Sequence, residues 1–415
     1  MKRATQMMGR ALLGALVLAW MATAGWSQSL TWLGVPPGGF HWSESLGVSS
    51  DGATVVGWAY PFSGGYRAFR WTPVAGMQDL GTLGGTHSEA WDVSSDGSVV
   101  VGLARNASDN WRAFRWTQAG GMQDLGTLGG CCSWGYGVSA DGSVVVGGAA
   151  DSAGIWRAFR WTAESGMQSI DTLNSRFSVA SGVSADGAVV VGRVDIGRES
   201  HAFRWTLGTG MQDLGTLSGG DRAWAYAVSS DGSVVVGEAE VVSPDGFLRY
   251  PRAFRWTEEA GMQDIGAFRE WSRAYGVSSD GSIVVGSSDG LAFRWRQGVG
   301  MEDLNITYSG LLRDGSVLYT ARDISPDGRY IVGYGRNAAT GRYEAFLLDT
   351  QPSCTAHNGD VDSNGCVDDA DLLAVLFAFG GTGSNLGRVD VNCDGVVDDA
   401  DLLTVLFNFG AVGDS

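Results

Sequence analysis

The tetrapeptide S-x-D-G recurs at near-regular intervals along the chain, beginning at Ser49, Ser94, Ser139, Ser184, Ser229, Ser278 and Ser325, with spacings of 45, 45, 45, 45, 49 and 47 residues. A period of this length, sustained over most of a chain, means one supersecondary unit stacked on copies of itself, because a single copy cannot bury its own apolar face. Other words recur with it. A β-branched run such as Val99-Val100-Val101-Gly102 follows the tetrapeptide. Next comes A-F-R-W, at Ala68, Ala113, Ala158, Ala202, Ala253 and Ala292, with Ala345-Phe346-Leu347-Leu348 as a degenerate seventh copy. Then comes G-M-Q-D-L-G, as at 76–81 and 121–126.

Each copy reads as four short strands. Strand a, for example Trp91-Asp92-Val93, runs into the tetrapeptide, whose Asp-Gly between β-branched runs is a hairpin signal. Strand b is V-V-V-G, strand c is A-F-R-W-T and strand d is M-Q-D-L-G. The unbroken apolar run of strand b predicts burial on both faces, as between stacked sheets. Small residues in strand a (Gly47, Gly137, Gly182, Ala227, Gly276) suit a crowded axis. The expected fold over 29–350 is an all-β seven-bladed β-propeller with four-stranded blades. The seventh copy stops after strand c, near Asp349, whereas Ser29-Leu30-Thr31-Trp32-Leu33-Gly34 matches strand d and precedes the first strand a. The N-terminal strand is therefore expected to complete the last blade and close the ring without a free edge. A linear β-solenoid is the competing architecture, and it needs capping units instead.

Before the repeats, residues 1–10 carry Lys2, Arg3 and Arg10 and no acid; 11–24 are apolar and end in Ala22-Thr23-Ala24. That order describes a secretory signal peptide over 1–24, and hence a secreted, extracellular bacterial protein in which disulfides can form. Its removal takes the net charge from -17 to -20 and leaves no lysine. Such a surface argues against nucleic acid as a partner. No apolar run reaches the roughly 20 residues of a membrane-spanning helix.

After a linker at 351–359, a second repeat begins. Residues 360–380 and 390–410 agree at 15 of 21 positions. Each is a twelve-residue loop followed by a short apolar helix. Positions 1, 3, 5, 9 and 12 are Asp360, Asp362, Asn364, Asp368 and Asp371 in the first loop, and Asp390, Asn392, Asp394, Asp398 and Asp401 in the second. Gly365 and Gly395 stand at the sharp turn, and Cys366 and Val396 offer main-chain carbonyls at position 7. Hard oxygen ligands at alternate positions of a tight loop suit Ca²⁺, so two ions are expected.

Over about 29–350 the repeats resemble the bacterial extracellular HAF-repeat family, whose name-giving triplet stands at His201-Ala202-Phe203. That resemblance implies a secreted protein and brings no catalytic residues. A position-12 aspartate followed by L-L-x-V-L-F resembles the type I dockerin domain, a paired EF-hand-like calcium module, over 360–412. It implies a small helical anchoring module with a cohesin-like or other extracellular protein as partner. At loop positions 10 and 11 the pairs Asp369-Ala370 and Asp399-Ala400 depart from the hydroxyl-bearing pairs usual in dockerins.

No residue set stands out as catalytic. His41, His87, His201 and His357 occupy unrelated repeat positions, and no H-E-x-x-H, G-x-S-x-G or phosphate-loop pattern occurs. The recurrent arginine of A-F-R-W is expected to pair with the aspartate of M-Q-D, as Arg70 with Asp79, Arg115 with Asp124 and Arg204 with Asp213. Cys131-Cys132 is either a strained disulfide or two thiols. Among Cys354, Cys366 and Cys393 one pair is expected, with Cys366–Cys393 preferred. The connections between strands b and c vary in every copy, so the recognition face is placed there. Their aromatics Tyr60, Phe62, Trp111, Trp156 and Tyr250 are candidates for polysaccharide or peptide contacts. The tail helices are expected to turn Ala374/Ala378 and Thr404/Asn408 to solvent. The chain thus reads as a secreted non-catalytic binding or scaffold protein; the alternative is a secreted carbohydrate-active enzyme that carries a dockerin.

Overall fold

The computed structural model describes residues 28–36, 40–61, 65–243, 246–350, 359–361, 367, 369–383 and 386–409. The signal-peptide and linker expectations (1–24 and 351–359) fall on residues outside this set, apart from Gly359. One compact unit covers Leu30–Thr350, and the described tail residues belong to a second.

The first six repeats each form four strands in consecutive antiparallel order, and the seventh forms three. In the third these are Gly129–Val138, Val144–Asp151, Trp156–Thr162 and Gly166–Ser169. Five sheets have this form; a sixth has eight strands. Its halves, the first repeat and the seventh, meet through a parallel bridge between Trp42 and Tyr343. The N-terminal strand Ser29–Gly34 pairs with Arg342–Asp349, the third strand of the seventh repeat. Successive sheets pack face on face: Val99, Val101 and Ala113 of one repeat share a core with Val145, Phe159 and Trp161 of the next. The first repeat shares one with the seventh, through Val55 and Phe69 against Val332 and Ala345. Four-stranded antiparallel sheets stacked in sequence order are a β-propeller.

The conserved words are joints of this stack. In each tetrapeptide the serine hydroxyl donates to the aspartate two residues on, as Ser139 Oγ to Asp141 Oδ1 at 2.7 Å, and accepts from the start of strand b, as from Val144 N at 2.9 Å. Gly142 takes φ +72°, the left-handed conformation the turn needs. The second residue of each tetrapeptide links neighbouring repeats through the main chain. Ser50 N donates to Ser95 O at 3.0 Å, Ser95 N to Ala140 O at 3.0 Å, and so on to Ser279 N, which donates to Pro326 O at 2.8 Å.

The recurrent arginine does not pair with the M-Q-D aspartate. Phe69 stands opposite Asp79 in the ladder, so Arg70, one residue on, projects from the other face. Four of these arginines reach the next repeat's turn instead: Arg115, Arg160, Arg204 and Arg255 donate through Nε to Gly142, Gly187, Gly232 and Gly281 O at 3.0–3.2 Å. The aspartate meets the residue before A-F-R-W, as in Arg112–Asp124 at 3.4 Å and Arg252–Asp264 at 3.3 Å. In the fourth repeat that residue is His201, whose Nδ1 lies 2.8 Å from Asp213.

The tetrapeptide turns set an acid limit. The serine hydroxyl, with main-chain N–H groups, holds the Asp51, Asp96, Asp186, Asp231 and Asp280 carboxyls below their ordinary value and Asp141 down to about 2. A carboxyl with a depressed folded pKa stabilises fully above the unfolded value and loses that contribution as pH falls through the folded one. The urea midpoint of the propeller is therefore expected to drop between pH 4 and pH 2, and less steeply once Ser94, Ser139 and Ser184 are all alanine. Equal slopes in the two proteins would refute this.

Candidate functional site

Strand a breaks its register just before the tetrapeptide in every repeat, between Gly135 and Gly137 in the third and between Ala90 and Asp92 in the second. This is a β-bulge, which adds one residue and re-aims its side chain. Strand b permits it through its glycine: a Cβ on Gly147 stands 1.9 Å from Trp134 O. The seven bulged residues are Leu46, Trp91, Tyr136, Ser181, Tyr226, Tyr275 and Arg322, and all line one cavity of about 440 Å³. The next position is the crowded one expected from the sequence. A Cβ on Gly182 meets Tyr226 O at 2.8 Å, and one on Gly47 meets Asp92 Cα at 3.1 Å. Two repeats place aspartate there, Asp92 and Asp323, and both line the cavity.

Ring faces form much of the wall. Trp91 and Tyr136 meet edge to face at 4.9 Å, and Trp134 stacks on Trp156 at 3.9 Å. The arginines here are already engaged. Arg322 Nε donates to Glu44 at 2.6 Å and lies 4.5 Å above the Tyr275 ring; Arg193 bonds Asp195 at 3.0 Å and stands over Phe177 and Trp224. Trp224 Nε1 is buried on this wall with no protein acceptor among the described residues. Asp92 accepts from Val93 N at 2.7 Å and from Val138 N of the next repeat at 2.8 Å. Asp323 accepts likewise from Ile324 N and from Val48 N. Burial, and then the Asp323 charge, raises the Asp92 carboxyl to about 8, and burial raises Asp323 to about 6.

Of the five loop aromatics singled out from sequence, Phe62 lies outside the described residues. Trp156 backs the cavity wall through Trp134. Tyr60 packs against His41 and Tyr66, Trp111 against His87 and the Arg105 guanidinium, and Tyr250 lies in the strand Arg249–Thr257. The cavity column lies outside the variable loops in which the sequence places recognition. Its signal was available: the residue before G/A/D-V/I-S changes in nearly every copy of an otherwise repetitive motif.

The tail is a second site. In its second loop, carboxylate oxygens of Asp390, Asp394 and Asp401 lie within 4.8 Å of one another. These are positions 1, 5 and 12. Asp390 accepts from Asp394 N at 3.1 Å and Gly395 N at 3.0 Å, and Asp401 from Asn392 N at 3.0 Å and Asp398 N at 2.9 Å. Asn392 donates to Asp394 at 3.0 Å. Asp398 caps the helix Asp399–Phe407 through Ala400 N at 2.8 Å, and Val396 forms a bridge with Thr382. Burial and the neighbouring Asp401 and Asp394 charges raise the Asp390 carboxyl. Clustered carboxylates of this kind fit a hard divalent cation. In the first loop Asp360 and Asp371 are buried, and Asp371 accepts from Val361 N at 2.6 Å; Asp362, Asn364, Cys366 and Asp368 lie outside the described residues. Cys393 is in a disulfide, whereas Cys131 and Cys132 are free thiols. The Cys393 partner, Cys354 or Cys366, lies outside the described residues.

The tail helices Asp369–Ala378 and Asp399–Phe407 pack through Val375 and Val405, with Leu372, Ala378 and Leu402 beside them. Ala378 is thus on the inner stripe, not the solvent side assigned from sequence. The outward residues are Leu373, Leu376 and Phe377 on one helix and Leu403, Leu406 and Phe407 on the other, with Phe377 at 87% and Phe407 at 83% exposure.

No protein-family model and no curated protein matches the sequence. Among solved structures the chain is similar to the putative TolB of Agrobacterium tumefaciens, at 14% identity and a TM-score of 0.41 over 56% of this chain and 82% of that one. It is similar to an oligogalacturonate lyase in complex with manganese, at 13% identity and a TM-score of 0.47 over 80% and 95%. It is also similar to the β-propeller domain of the Trilobed protease from Pyrococcus furiosus, at 11% identity and a TM-score of 0.48 over 75% and 96%. Among the described residues no helix is long and apolar enough to cross a membrane.

Proposed function

We propose that the chain is a secreted, non-catalytic binding or scaffold protein. Its propeller has seven blades, closed by the N-terminal strand, and recognises its ligand at the aromatic axial cavity. The dockerin-like tail folds around two Ca²⁺ ions and anchors the propeller to a cohesin-like or other extracellular protein. The observation that carries the binding role is the column of bulged residues: a repetitive scaffold turns Leu46, Trp91, Tyr136, Ser181, Tyr226, Tyr275 and Arg322, five residue types in seven copies, into one cavity. Concave, aromatic walls with a few convergent polar groups are the usual form of a ligand site.

The alternative, a secreted carbohydrate-active enzyme, has one observation in its favour. Asp92 and Asp323 are two carboxyls in one cavity with separated pKa values, about 8 and about 6, as an acid–base pair requires. Each is nevertheless tied to main-chain N–H groups of its own repeat and the next, which gives it a structural task. Titrating the full chain against a polysaccharide panel, with tryptophan fluorescence and product release both followed, separates the readings. Binding without product, weakened at least tenfold by Trp134→Ala, is expected. Release of shortened or unsaturated sugars sinks the non-catalytic reading.

A further inference from the structure

Three features of the axial cavity concern charge. Its two arginines are already matched to carboxylates, Arg322 to Glu44 at 2.6 Å and Arg193 to Asp195 at 3.0 Å. Asp92 and Asp323, by contrast, accept only from neutral main-chain N–H groups. Glu89, on the same strand as Asp92, accepts from the Trp91 indole at 3.1 Å. Both lining guanidiniums thus have carboxylate partners, whereas the lining carboxyls Asp92 and Asp323 have no cationic side chain bonded to them among the described residues. They share the cavity with the bulged rings of Trp91, Tyr136, Tyr226 and Tyr275.

We propose that this cavity takes an organic ammonium group, held by Asp92 and Asp323 against those four rings. The proposal rests on the reading of the propeller as a binding domain and names the chemistry of its ligand. Ring faces carry negative potential and attract a cation most strongly where water is excluded, and quaternary and substituted ammonium groups bring apolar surface to match them. A metal ion fits less well. A hard divalent cation needs six or more oxygens, whereas Asp92 and Asp323 have each committed two hydrogen bonds to the main chain, and the only hydroxyl among the other bulged residues besides the phenols is that of Ser181. An anion is disfavoured because both lining guanidiniums are already paired with carboxylates.

The charged and titratable groups on the strands around the pair are Glu44 with Arg322, Arg193 with Asp195, Glu238 with Arg273, Glu89, and the Tyr136, Tyr226 and Tyr275 phenols; burial raises the Tyr136 and Tyr226 phenols. A bound ammonium offsets the repulsion between Asp92 and Asp323, so at pH 7 its binding is expected to release protons.

The test uses the full chain, with choline and glucosamine as probes and glucose and N-acetylglucosamine as neutral controls, in calorimetry and tryptophan fluorescence. The ammonium probes are expected to bind at least tenfold tighter than their neutral counterparts. Titration in two buffers of different ionisation enthalpy should report proton release. Asp92→Asn with Asp323→Asn should weaken choline at least tenfold and abolish that release; should this variant fold poorly, Tyr275→Leu serves for the loss of affinity. Equal affinity for charged and neutral probes, no ammonium binding by the wild type, or competition by Ca²⁺ or Mn²⁺ at the same site overturns the proposal. If the polysaccharide panel binds while the ammonium probes do not, the inference falls and the binding role stands. If neither binds, both fall.

Discussion

Deleting residues 29–34 is expected to lower the melting temperature of the propeller by on the order of 5–10 °C and to bring on aggregation. This strand is the outer partner of Arg342–Asp349. It inserts Leu33, 7% exposed, among Val332, Ala345 and Leu347, and sets Trp32 edge-on to Phe346 with centroids 6.2 Å apart. Gly34 O also accepts the Ser43 hydroxyl, whose own oxygen accepts from Ala345 N at 2.9 Å. Losing the burial of one leucine and part of one tryptophan costs roughly 3–6 kcal/mol. The deletion also strips the last sheet to a bare strand edge, the kind that pairs with other chains. Scanning calorimetry with light scattering checks this; an unchanged melt in a monodisperse sample refutes it.

Calcium is expected to have the other large effect, confined to the tail. Ten net negative charges fall within residues 354–415. Carboxylate oxygens of Asp390, Asp394 and Asp401 converge in the second loop. Metal affinity adds to folding free energy when the unfolded chain has no preformed site. At a thousandfold excess over Kd it contributes about 4 kcal/mol. The helical circular dichroism of the full chain, otherwise β apart from short helical turns, should rise on adding Ca²⁺ and fall with chelator. Asp390→Ala should remove the response and leave the Asp398 cap intact. Asp401→Ala should remove it and also lose part of the cap, because Asp401 accepts the Asp398 N–H at 2.9 Å. Full helicity in chelator, or an undiminished calcium response in Asp390→Ala, contradicts the calcium reading.

Periodicity made the propeller legible. Seven copies of one motif fix strand number and order, and a spare strand at one end with a missing one at the other identifies their pairing. Alternation along A-F-R-W puts Phe69 and Arg70 on opposite faces, so the arginine points away from the aspartate that stands opposite the phenylalanine. The bulge in strand a was harder to see. A bulge adds a residue without changing hydrophobicity, so the side chains it turns inward look like ordinary strand positions until the register is known. The tail helices failed for a related reason. In Leu372-Leu373-Ala374-Val375-Leu376-Phe377 nearly every position is apolar, and such a helix has no phase from which to choose an inner stripe. The choice is made by contact, where Val375 and Val405 join Val367, Val391 and Val397 in one buried cluster.

The chain of main-chain bonds through the second residue of each tetrapeptide has one more consequence. It depends on no side chain, so serine and alanine serve equally at Ser50, Ala140 and Ala185. Pro326 can only accept. It takes the Ser279 N–H at 2.8 Å and has no N–H to pass on toward Ser50. The necklace therefore has a clasp, and the clasp lies where the two ends of the propeller's chain also meet. Under load, or in slow amide exchange, opening is expected to begin at the seam between the seventh repeat and the first and to proceed as unzipping from a fixed point. In a lineage, the same seam is where a repeat can be inserted without cutting a link of the necklace.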